Sequence, residues 1–422
     1  MMKNNWKDIK VCLDSRLIKK GDYFVPIKGE NFNGYDYIES ALKNGAKGII
    51  EESDLYDIAV KKLKEIKPIV IAITGSVGKT STSRYIYKLL KNKYNAYLGY
   101  LNTKLGLAVN ILNDLKTDAD FFIAECGMDR KGELFETGTF IQPDSVVLTN
   151  ISESHAEKLG TLEDIKEAKS ELIKTLDPKK GVLFFNSSFK DVVSVADSFK
   201  TIKKIPYGIP SKNSIVYKGT PNLIGIHQKT NANAAVVVSK YYGCSVTKKS
   251  LMSLKPEKGR FNILKGMGGS TLIDDTYNAS RVSTLASLKA YKNYVEGKDF
   301  SRRFIVLGHM AELGIYEKQS HISVGDFIGK YSAFFDLVIL VGSKSLLYSK
   351  SSFFIQKKIP YKYFETHKEV LDYINNQIKP TNKDIFLFKG SQSARLELVL
   401  KNLLYNPKIA KKVLVRQDAR WV

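Results

Sequence analysis

A short glycine-containing segment between an apolar run and a helix-like stretch constrains this chain more than any other feature. The apolar run Ile69–Ile73 is followed by "TGSVGKT", in which Gly75 and Gly78 precede Lys79 and Thr80. This order of strand, loop and helix is typical of a phosphate-binding loop. The usual motif has four residues between its first glycine and Gly-Lys-Thr, whereas this chain has only two. The segment is therefore either a shortened phosphate cradle or a chance Gly-Lys-Thr in a turn.

A phosphate cradle needs backbone N–H groups that point inward, and it needs glycines that let the phosphate approach. In such a cradle Lys79 would reach the β- and γ-phosphates of ATP, and Thr80 would offer its hydroxyl to Mg²⁺. The residues predicted to bind the nucleotide here are Gly75, Ser76, Val77, Gly78, Lys79, Thr80 and Ser81.

Apolar strand-like runs alternate with helical stretches along most of the chain, which predicts an α/β fold with doubly wound parallel sheets. The main strand candidates are 69–73, 120–124, 145–149, 271–273, 304–307, 337–341 and 385–388. Helical stretches are predicted at 37–44, 81–91 and 161–176, the last with a capping box formed by Thr161 and Asp164. The stretch "LMSLKPEKGRFNIL" interrupts the pattern. We predict three domains, which comprise residues 1–67, 68–258 and 259–422.

The composition limits the compartment and the partners. Lysine and arginine number 66 against 43 acidic residues, a net charge of +23. Because the lysines are spread over the whole chain, we expect small anionic substrates rather than nucleic acid. The three cysteines lie far apart, which suits a reducing compartment. No segment reaches the roughly 20 apolar residues of a membrane span, so we expect a cytoplasmic protein without membrane insertion.

The compressed loop resembles that of the Mur ligase family, the ATP-dependent amide ligases of peptidoglycan precursor synthesis, where this short form is usual. Further segments resemble family motifs in the same order over nearly the whole chain: "YLNTKLG", "AECGMDRKGEL", "LTNISESHAEK", "AKSEL", "HQKTNANAA", "KGRFNIL" and "LIDDTYNAS". The resemblance implies a three-domain architecture with a central P-loop ATPase domain and a C-terminal Rossmann-like domain.

The resemblance also implies two Mg²⁺ sites. Thr80 and Glu125 would hold one ion, because a hard cation prefers carboxylate oxygen at the carboxyl end of a strand. His155 and Lys169 would hold the other. An ammonium cannot bind Mg²⁺, so the family's carbamylated lysine is expected at Lys169, where a carbamate would supply anionic oxygens. Without the resemblance, Lys169 would be interpreted as a solvated helix lysine.

Further roles follow from the same resemblance. Asn102 would lie near the phosphates, Asn231 against the adenine, and Arg260 would contact the phosphates from the last domain. The loop predicted to close over the nucleotide carries Asp274, Asp275, Tyr277 and Asn278. The residues expected to be catalytic are Lys79, His155, Lys169 and Arg260. In the N-terminal domain, Ser15 and Arg16 would lie near a UDP group.

Two segments favour the family member that adds a dipeptide, namely "VLGHMAELG" and "FKGSQSARLE". No Asn-Pro-Arg motif of the amino-acid-adding member is present. The expected substrates are UDP-N-acetylmuramoyl-tripeptide and D-alanyl-D-alanine, joined through an acyl phosphate by a monomeric enzyme.

The chain also departs from the family pattern. Ser280 stands where a second Asn is usual, His309 replaces an Asp, and Gln392 replaces an Arg. Three alternatives stay open. One is a sister ligase, such as the ligase of the third residue or a folate polyglutamate ligase. A degenerate ligase-like protein without turnover is favoured by Ser280 and Gln392, and a nucleic-acid-dependent NTPase is suggested by the phosphate loop and the net charge of +23.

Overall fold

Three sheets, each accompanied by helices, organise the chain in this computed structural model, which describes residues 6–29, 32–418 and 421. The first sheet is small and parallel, with strand order β1-β2-β3. Its strands are β1 (Val11–Cys12), β2 (Tyr23–Phe24) and β3 (Gly48–Ile49). The helices next to them in the chain are α1 (Ile38–Lys43) and α2 (Glu52–Ile66). The predicted amphipathic stretch at 37–44 thus forms α1.

The second sheet has six strands, all parallel, in the order β5-β6-β4-β7-β8-β9. Its strands are β4 (Ile69–Thr74), β5 (Ala96–Gly99), β6 (Phe121–Glu125), β7 (Ser145–Leu148), β8 (Val182–Asn186) and β9 (Lys203–Tyr207). The helices of this region are α3 (Lys79–Leu90), α4 (Lys104–Asn113), α5 (Glu133–Ile141), α6 (Ala156–Leu159), α7 (Leu162–Ser170), α8 (Lys190–Ser198), α9 (Ile215–Gly219), α10 (Ile226–Tyr241) and α11 (Lys248–Met252).

The position of β4 explains why its apolar run is so marked. It pairs with β6 on one side and β7 on the other, and every residue from Val70 to Thr74 is buried. A strand of a parallel sheet with helices on both faces has no solvated face, so it appears as a continuous apolar run. The chain leaves β4 toward β5 and β6 and later returns to β7, so the strand order reverses at β4. Ligands of such sheets bind beyond the carboxyl ends of the strands at this reversal.

The third sheet also has six strands, in the order β10-β11-β15-β12-β13-β14, with β10 antiparallel and the others parallel. Its strands are β10 (Asn262–Lys265), β11 (Thr271–Asp275), β12 (Arg302–Gly308), β13 (Leu337–Val341), β14 (Tyr361–Phe364) and β15 (Asp384–Lys389). Its helices are α12 (Arg281–Val295), α13 (Glu317–Lys330), α14 (Ser352–Gln356), α15 (His367–Tyr373), α16 (Glu397–Leu403) and α17 (Ala410–Val413).

Alternate side chains along the strands of the third sheet point to opposite faces, and each face packs into its own hydrophobic core. Ile305 and Leu307 of β12 belong to one core, whereas Phe304 and Val306 belong to the other. Phe304 stacks on Phe386 of β15, with ring centroids 4.5 Å apart. Both faces of the sheet are therefore covered, as the alternation of strands and helices predicts. The α/β class with parallel sheets is confirmed.

Contacts divide the described chain into two compact units. The first comprises residues up to 151, 166–208 and 231–250, and the second comprises 152–165, 209–230 and 251–422. The division into domains at 1–67, 68–258 and 259–422 stays a prediction.

The helix predicted at 161–176 is shorter than expected. The capping box is present: the Asp164 carboxylate accepts from the Thr161 N–H at 2.8 Å, and the Thr161 hydroxyl accepts from the Asp164 N–H at 3.3 Å. However, α7 ends at Ser170, and the remainder forms a 3₁₀ turn at Ile173–Thr175.

Among the described residues, no helix combines the length and the apolar character that crossing a lipid bilayer requires.

Truncating the stacked phenylalanine in the third sheet should destabilise the second unit. Phe386 is completely buried, so Phe386→Ala should lower the free energy of unfolding by about 3–5 kcal/mol through lost transfer energy and a residual cavity. Urea unfolding is followed by the fluorescence of Trp421 in a Trp6→Phe background, which leaves Trp421 as the only tryptophan. The control is Phe353→Ala, because Phe353 is 47% exposed. Equal effects of the two variants would contradict this account of the core.

Candidate active site

The shortened glycine loop joins β4 to α3, and its backbone excludes side chains at both glycines. Gly75 has φ +144° and Gly78 has φ +89°. A Cβ on Gly75 would lie 2.1 Å from the Thr149 hydroxyl oxygen, and one on Gly78 would lie 2.9 Å from the Asn231 side-chain oxygen. Because both positions require glycine for conformation and for space, the segment is a built loop rather than an ordinary turn.

The loop is held by its own lysine and by the two residues that follow β7, the strand beside β4. The Lys79 ammonium donates to the Gly75 carbonyl at 2.8 Å, and the Thr149 hydroxyl donates to the Val77 carbonyl at 2.6 Å. The Ser76 N–H donates to the Asn150 carbonyl at 2.8 Å. Since α3 begins at Lys79, the N–H groups of its first turn face the loop, which is the arrangement that binds phosphate. Ser81 is buried in that turn.

Thr80 and Glu125 are brought together at the carboxyl edge of the second sheet. The Thr80 hydroxyl donates to a Glu125 carboxylate oxygen at 3.1 Å, and Glu125 is the last residue of β6. Asn102 lies beside the segment that follows, because its carbonyl accepts from the Gly127 N–H at 2.8 Å. A hydroxyl and a carboxylate in contact at this edge are oxygen ligands of the kind that Mg²⁺ prefers, with phosphate oxygens and water completing its shell.

Lys169 is buried, although a helix lysine would ordinarily be solvated. Its side chain is 1% exposed, and burial together with the nearby charge of Lys79 holds its pKa well below the ordinary value. Within the described ranges, no carboxylate is among the groups that shift the pKa of Lys169. A low pKa favours the neutral amine, which is the form that reacts with CO₂, so the site suits a carbamate. No group of three His, Cys, Asp or Glu side chains suited to a metal occurs in the described part of the chain.

His155 lies in the second unit, at the residue before α6, with φ +68°. Its Nδ1 is 3.0 Å from a carboxylate oxygen of Glu312, which also has a positive φ. Glu312 belongs to the segment "VLGHMAELG" that the sequence analysis singled out. Lys169 belongs to the first unit, and a metal shared by His155 and Lys169 stays a prediction.

Arg260 and the segment after β11 lie against each other within the second unit. The Arg260 guanidinium carbon is 4.0 Å from the centroid of the Tyr277 ring, a cation–π distance. The Tyr277 N–H donates to the Gly259 carbonyl at 3.1 Å, and a Cβ on Gly259 would lie 2.9 Å from that nitrogen. The structure therefore brings together two of the predicted nucleotide-binding segments.

The two aspartates differ from the prediction in their position. Asp274 and Asp275 form the end of β11 instead of following it. Asp274 is completely buried, and burial raises its pKa to about 6, although it accepts hydrogen bonds from Thr276 and Gly259. Asp274 thus anchors the backbone around it, whereas Asp275 is the aspartate that pairs with another charged side chain.

Lys389 is the partner of Asp275, and the sequence analysis did not single it out. Its ammonium is 3.0 Å from an Asp275 carboxylate oxygen and donates to the Asn278 carbonyl at 2.6 Å. Burial lowers the pKa of Lys389, and the Asp275 charge opposes that effect. The available signal was a lysine that closes strand β15 directly after the apolar run 385–388.

Asn150 is a second residue that the sequence analysis did not assign to the site. It is 2% exposed, and neither its Oδ1 nor its Nδ2 has a hydrogen-bond partner in the part of the chain that the structure describes. A buried amide without partners is costly, so it marks a position where a ligand or water can bind. The signal was its position two residues after the end of β7.

Three further residues of the sequence analysis, Ser15, Arg16 and Ser280, differ in their exposure and in their hydrogen-bond partners. Ser15 is buried, whereas the Arg16 side chain is 77% exposed and pairs with Asp14 at 2.8 Å. Ser280, a departure from the family pattern, caps α12 in a capping box with Ser283. Ser therefore has a structural use at this position.

The two segments that favour a dipeptide-adding ligase contact each other. The Ser391 N–H donates to the His309 carbonyl at 2.9 Å, and His309 Nε2 is 3.0 Å from the Ser393 hydroxyl oxygen. Gln392, the third departure, lies between these two serines, and its N–H is 3.4 Å from the Asn278 side-chain oxygen. His309 and Gln392 thus belong to one cluster.

Family models built from known proteins match three segments of the chain in order. The model "Mur ligase family, catalytic domain" matches residues 10–77, "Mur ligase middle domain" matches 73–232, and "Mur ligase, glutamate ligase domain" matches 259–392.

Proteins called UDP-N-acetylmuramoyl-tripeptide–D-alanyl-D-alanine ligase are similar over almost the whole chain. The protein from Bacillus subtilis is 28% identical, with 94% of this chain and 93% of the relative covered. The protein from Escherichia coli is 27% identical, with 94% of each covered. A crystal structure of MurF ligase from Thermotoga maritima in complex with ADP has a TM-score of 0.81 at 27% identity and covers 97% of this chain and 99% of that one. With three family models matched in order along its length, the chain belongs to the Mur ligase family.

Proposed function

We propose that this protein is an ATP-dependent amide ligase that joins D-alanyl-D-alanine to UDP-N-acetylmuramoyl-tripeptide and releases ADP and phosphate. One observation carries the proposal: the glycine loop places Thr80 against Glu125 at 3.1 Å in a chain similar over almost its whole length to ligases of that name. The cluster of His309 with Ser391 and Ser393 supports the choice of a dipeptide acceptor. We further propose a monomer that acts in the cytoplasm, the compartment that supplies ATP.

Activation by ATP answers a chemical difficulty. A carboxylate is a poor electrophile, because attack by an amine would have to expel oxide. A carboxylate oxygen of the tripeptide attacks the γ-phosphorus of ATP, the bond to the β-phosphate oxygen breaks, and ADP leaves. The product is an acyl phosphate. The amine of D-alanyl-D-alanine then attacks the acyl carbon, loses a proton, and the tetrahedral intermediate expels phosphate.

The proposed roles of the cations follow from the charge on the transferring phosphoryl group. Lys79 and Arg260 neutralise its oxygens, and phosphoryl transfer depends mainly on such positioning and electrostatics. Mg²⁺, when bound, would add positive charge at the same oxygens. Thr80 and Glu125 would hold one ion, while His155 and carbamylated Lys169 would hold the other. Gly75 to Ser81, Asn102, Asn231, Asp275, Tyr277 and Asn278 would bind the nucleotide. Ser15 and Arg16 would lie near the UDP group.

The function itself is tested by phosphate release. The protein is incubated with ATP, Mg²⁺ and UDP-N-acetylmuramoyl-tripeptide, and D-alanyl-D-alanine, single amino acids or a polynucleotide are added separately. Release only with the dipeptide is expected, together with a pentapeptide product by mass spectrometry. Release with a single amino acid would indicate a sister ligase, stimulation by polynucleotide a different NTPase, and no release a degenerate protein. Each of these three results would contradict the proposal.

Removal of the loop lysine should abolish turnover. Lys79→Ala takes away the ammonium that stabilises the transferring phosphoryl group, so kcat should fall by roughly 10²–10³-fold or more. The matched control is Lys91→Ala, because Lys91 lies beyond the other end of α3 and should leave kcat unchanged. Turnover of the Lys79→Ala variant near that of the unmodified protein would refute the assignment of the loop.

Lys169→Ala should be rescued in part by added formate or acetate. A short carboxylate can occupy the space of the carbamate and supply oxygen to the metal. The measurement is kcat against carboxylate concentration, with Lys79→Ala as the control that no carboxylate should rescue. If Lys169→Ala stays inactive at every concentration, the carbamate assignment loses its support.

A further inference from the structure

Four consecutive backbone carbonyls at the end of β11 and directly after it accept hydrogen bonds from two cationic side chains. The carbonyls are those of residues 275–278, which we call the nucleotide loop. Lys389 donates to the first and last of them at 3.3 and 2.6 Å. Arg416 donates to the second and third at 2.6 and 3.0 Å. Lys389 belongs to the sheet, whereas Arg416 lies in the C-terminal segment that follows α17.

Arg416 is itself held by a buried carboxylate. Its Nε and Nη2 donate to the two carboxylate oxygens of Glu397 at 3.0 and 2.9 Å. The Glu397 side chain is completely buried, and the Arg416 side chain is 6% exposed. Arg395 donates to the same carboxylate at 2.6 Å. A two-point pair of this kind fixes the guanidinium plane, and its burial makes the loss of either partner expensive.

The backbone of both arginines supports a specific purpose for this arrangement. Arg395 has φ +48° and Arg416 has φ +53°, the left-handed region that residues other than glycine rarely adopt. Such conformations persist only where surrounding contacts enforce them, and they cluster at functional sites. Here both strained residues flank Glu397, and one of them reaches the nucleotide loop.

The loop in turn positions Arg260. The Tyr277 ring packs on the Arg260 guanidinium at 4.0 Å, and the same loop begins at Asp275. The Tyr277 carbonyl accepts a hydrogen bond from Arg416 at 3.0 Å, so loss of Arg416 would remove one of the contacts that hold the ring against Arg260. Four of the five N–H groups of the Arg416 guanidinium donate to Glu397 and to the loop carbonyls, so we infer that Arg416 acts through the loop.

We propose that Arg416 is a positioning residue for ATP: with Glu397 it clamps the nucleotide loop so that Tyr277 and Arg260 meet the nucleotide in a fixed geometry. This inference rests on the proposed function, because it assigns the loop and Arg260 to ATP.

The chain offers a matched control at the amino-terminal ends of the strands of the same sheet. Arg302 donates to both oxygens of Asp384 at 2.8 and 2.7 Å and to the carbonyls of Ile378 and Lys379 at 3.0 and 3.5 Å. It is therefore another arginine that clamps a buried carboxylate and two carbonyls. Arg302 begins β12 and Asp384 begins β15, whereas the nucleotide loop begins at the last residue of the parallel strand β11.

The experiment compares Arg416→Met with Arg302→Met in the full chain. Both variants should lower Tm, because each loses buried hydrogen bonds. Only Arg416→Met should raise KM for ATP and Kd for ADP by at least about tenfold, which corresponds to ~1.4 kcal/mol. Arg302→Met should leave both constants within about twofold. Arg416→Lys, which keeps the charge without the planar fork, should lie between Arg416→Met and the unmodified protein.

The same KM and Kd in both methionine variants would overturn the inference, since the clamp would then be merely structural. If Arg416→Met does not fold, Glu397→Gln serves instead, because it keeps the shape and removes the charge that holds Arg416. ADP affinity is measured by calorimetry without ligation. A protein that shows no ligation but loses ADP affinity in Arg416→Met would refute the proposed function and still support the clamp.

Discussion

Charged side chains are buried where parallel strands end, and the rest of the structure depends on how their charges are compensated. Burial of an ion is expensive unless a partner of opposite charge and hydrogen bonds surround it. In the third sheet, Asp275 meets Lys389 at 3.0 Å, and Glu397 accepts from two arginines. These pairs fix the backbone between β11 and α12. The sheets thus position charged side chains at the ends of their strands more rigidly than a loop alone could.

Within the residues that the structure describes, the buried charge of the second sheet is not compensated by an ion pair of the kind found in the third sheet. Lys169 is buried, and burial together with the nearby charge of Lys79 lowers its pKa. The amine therefore has a lowered pKa, which is the condition for carbamate formation. Glu125 reaches a hydroxyl, that of Thr80, rather than a cation. Among the described residues, the Asn150 side-chain amide at this edge has no hydrogen-bond partner. Two lysines, a glutamate and this amide suit an anionic ligand together with a cation, which is why we propose that ATP and Mg²⁺ bind here.

Local patterns predicted much of the fold and part of the site. Strands buried on both faces, such as β4 and β13, appear as uninterrupted apolar runs, so their positions could be predicted to within a residue or two. The capping box at Thr161 depends on residues three apart and was also predictable. By contrast, β9 reads "KKIPY" and its first residues are polar. An edge strand with a solvated side lacks the apolar run, so its identity depends on pairing with β8.

The sequence by itself determined the glycine loop, the order of strands and helices, and the residue types at the strand ends, because these depend on neighbours along the chain. Only the tertiary structure decided which distant groups meet. Lys389 reaches the Asn278 carbonyl across 111 positions, and Arg416 reaches the Thr276 carbonyl across 140. Such pairs leave no periodic signal, since their geometry arises from parallel strands that end at one edge and from a C-terminal segment folded back on the sheet. The residue types that the site needs are therefore fixed by the local sequence, but the distances between them are fixed by the packing of the strands and helices.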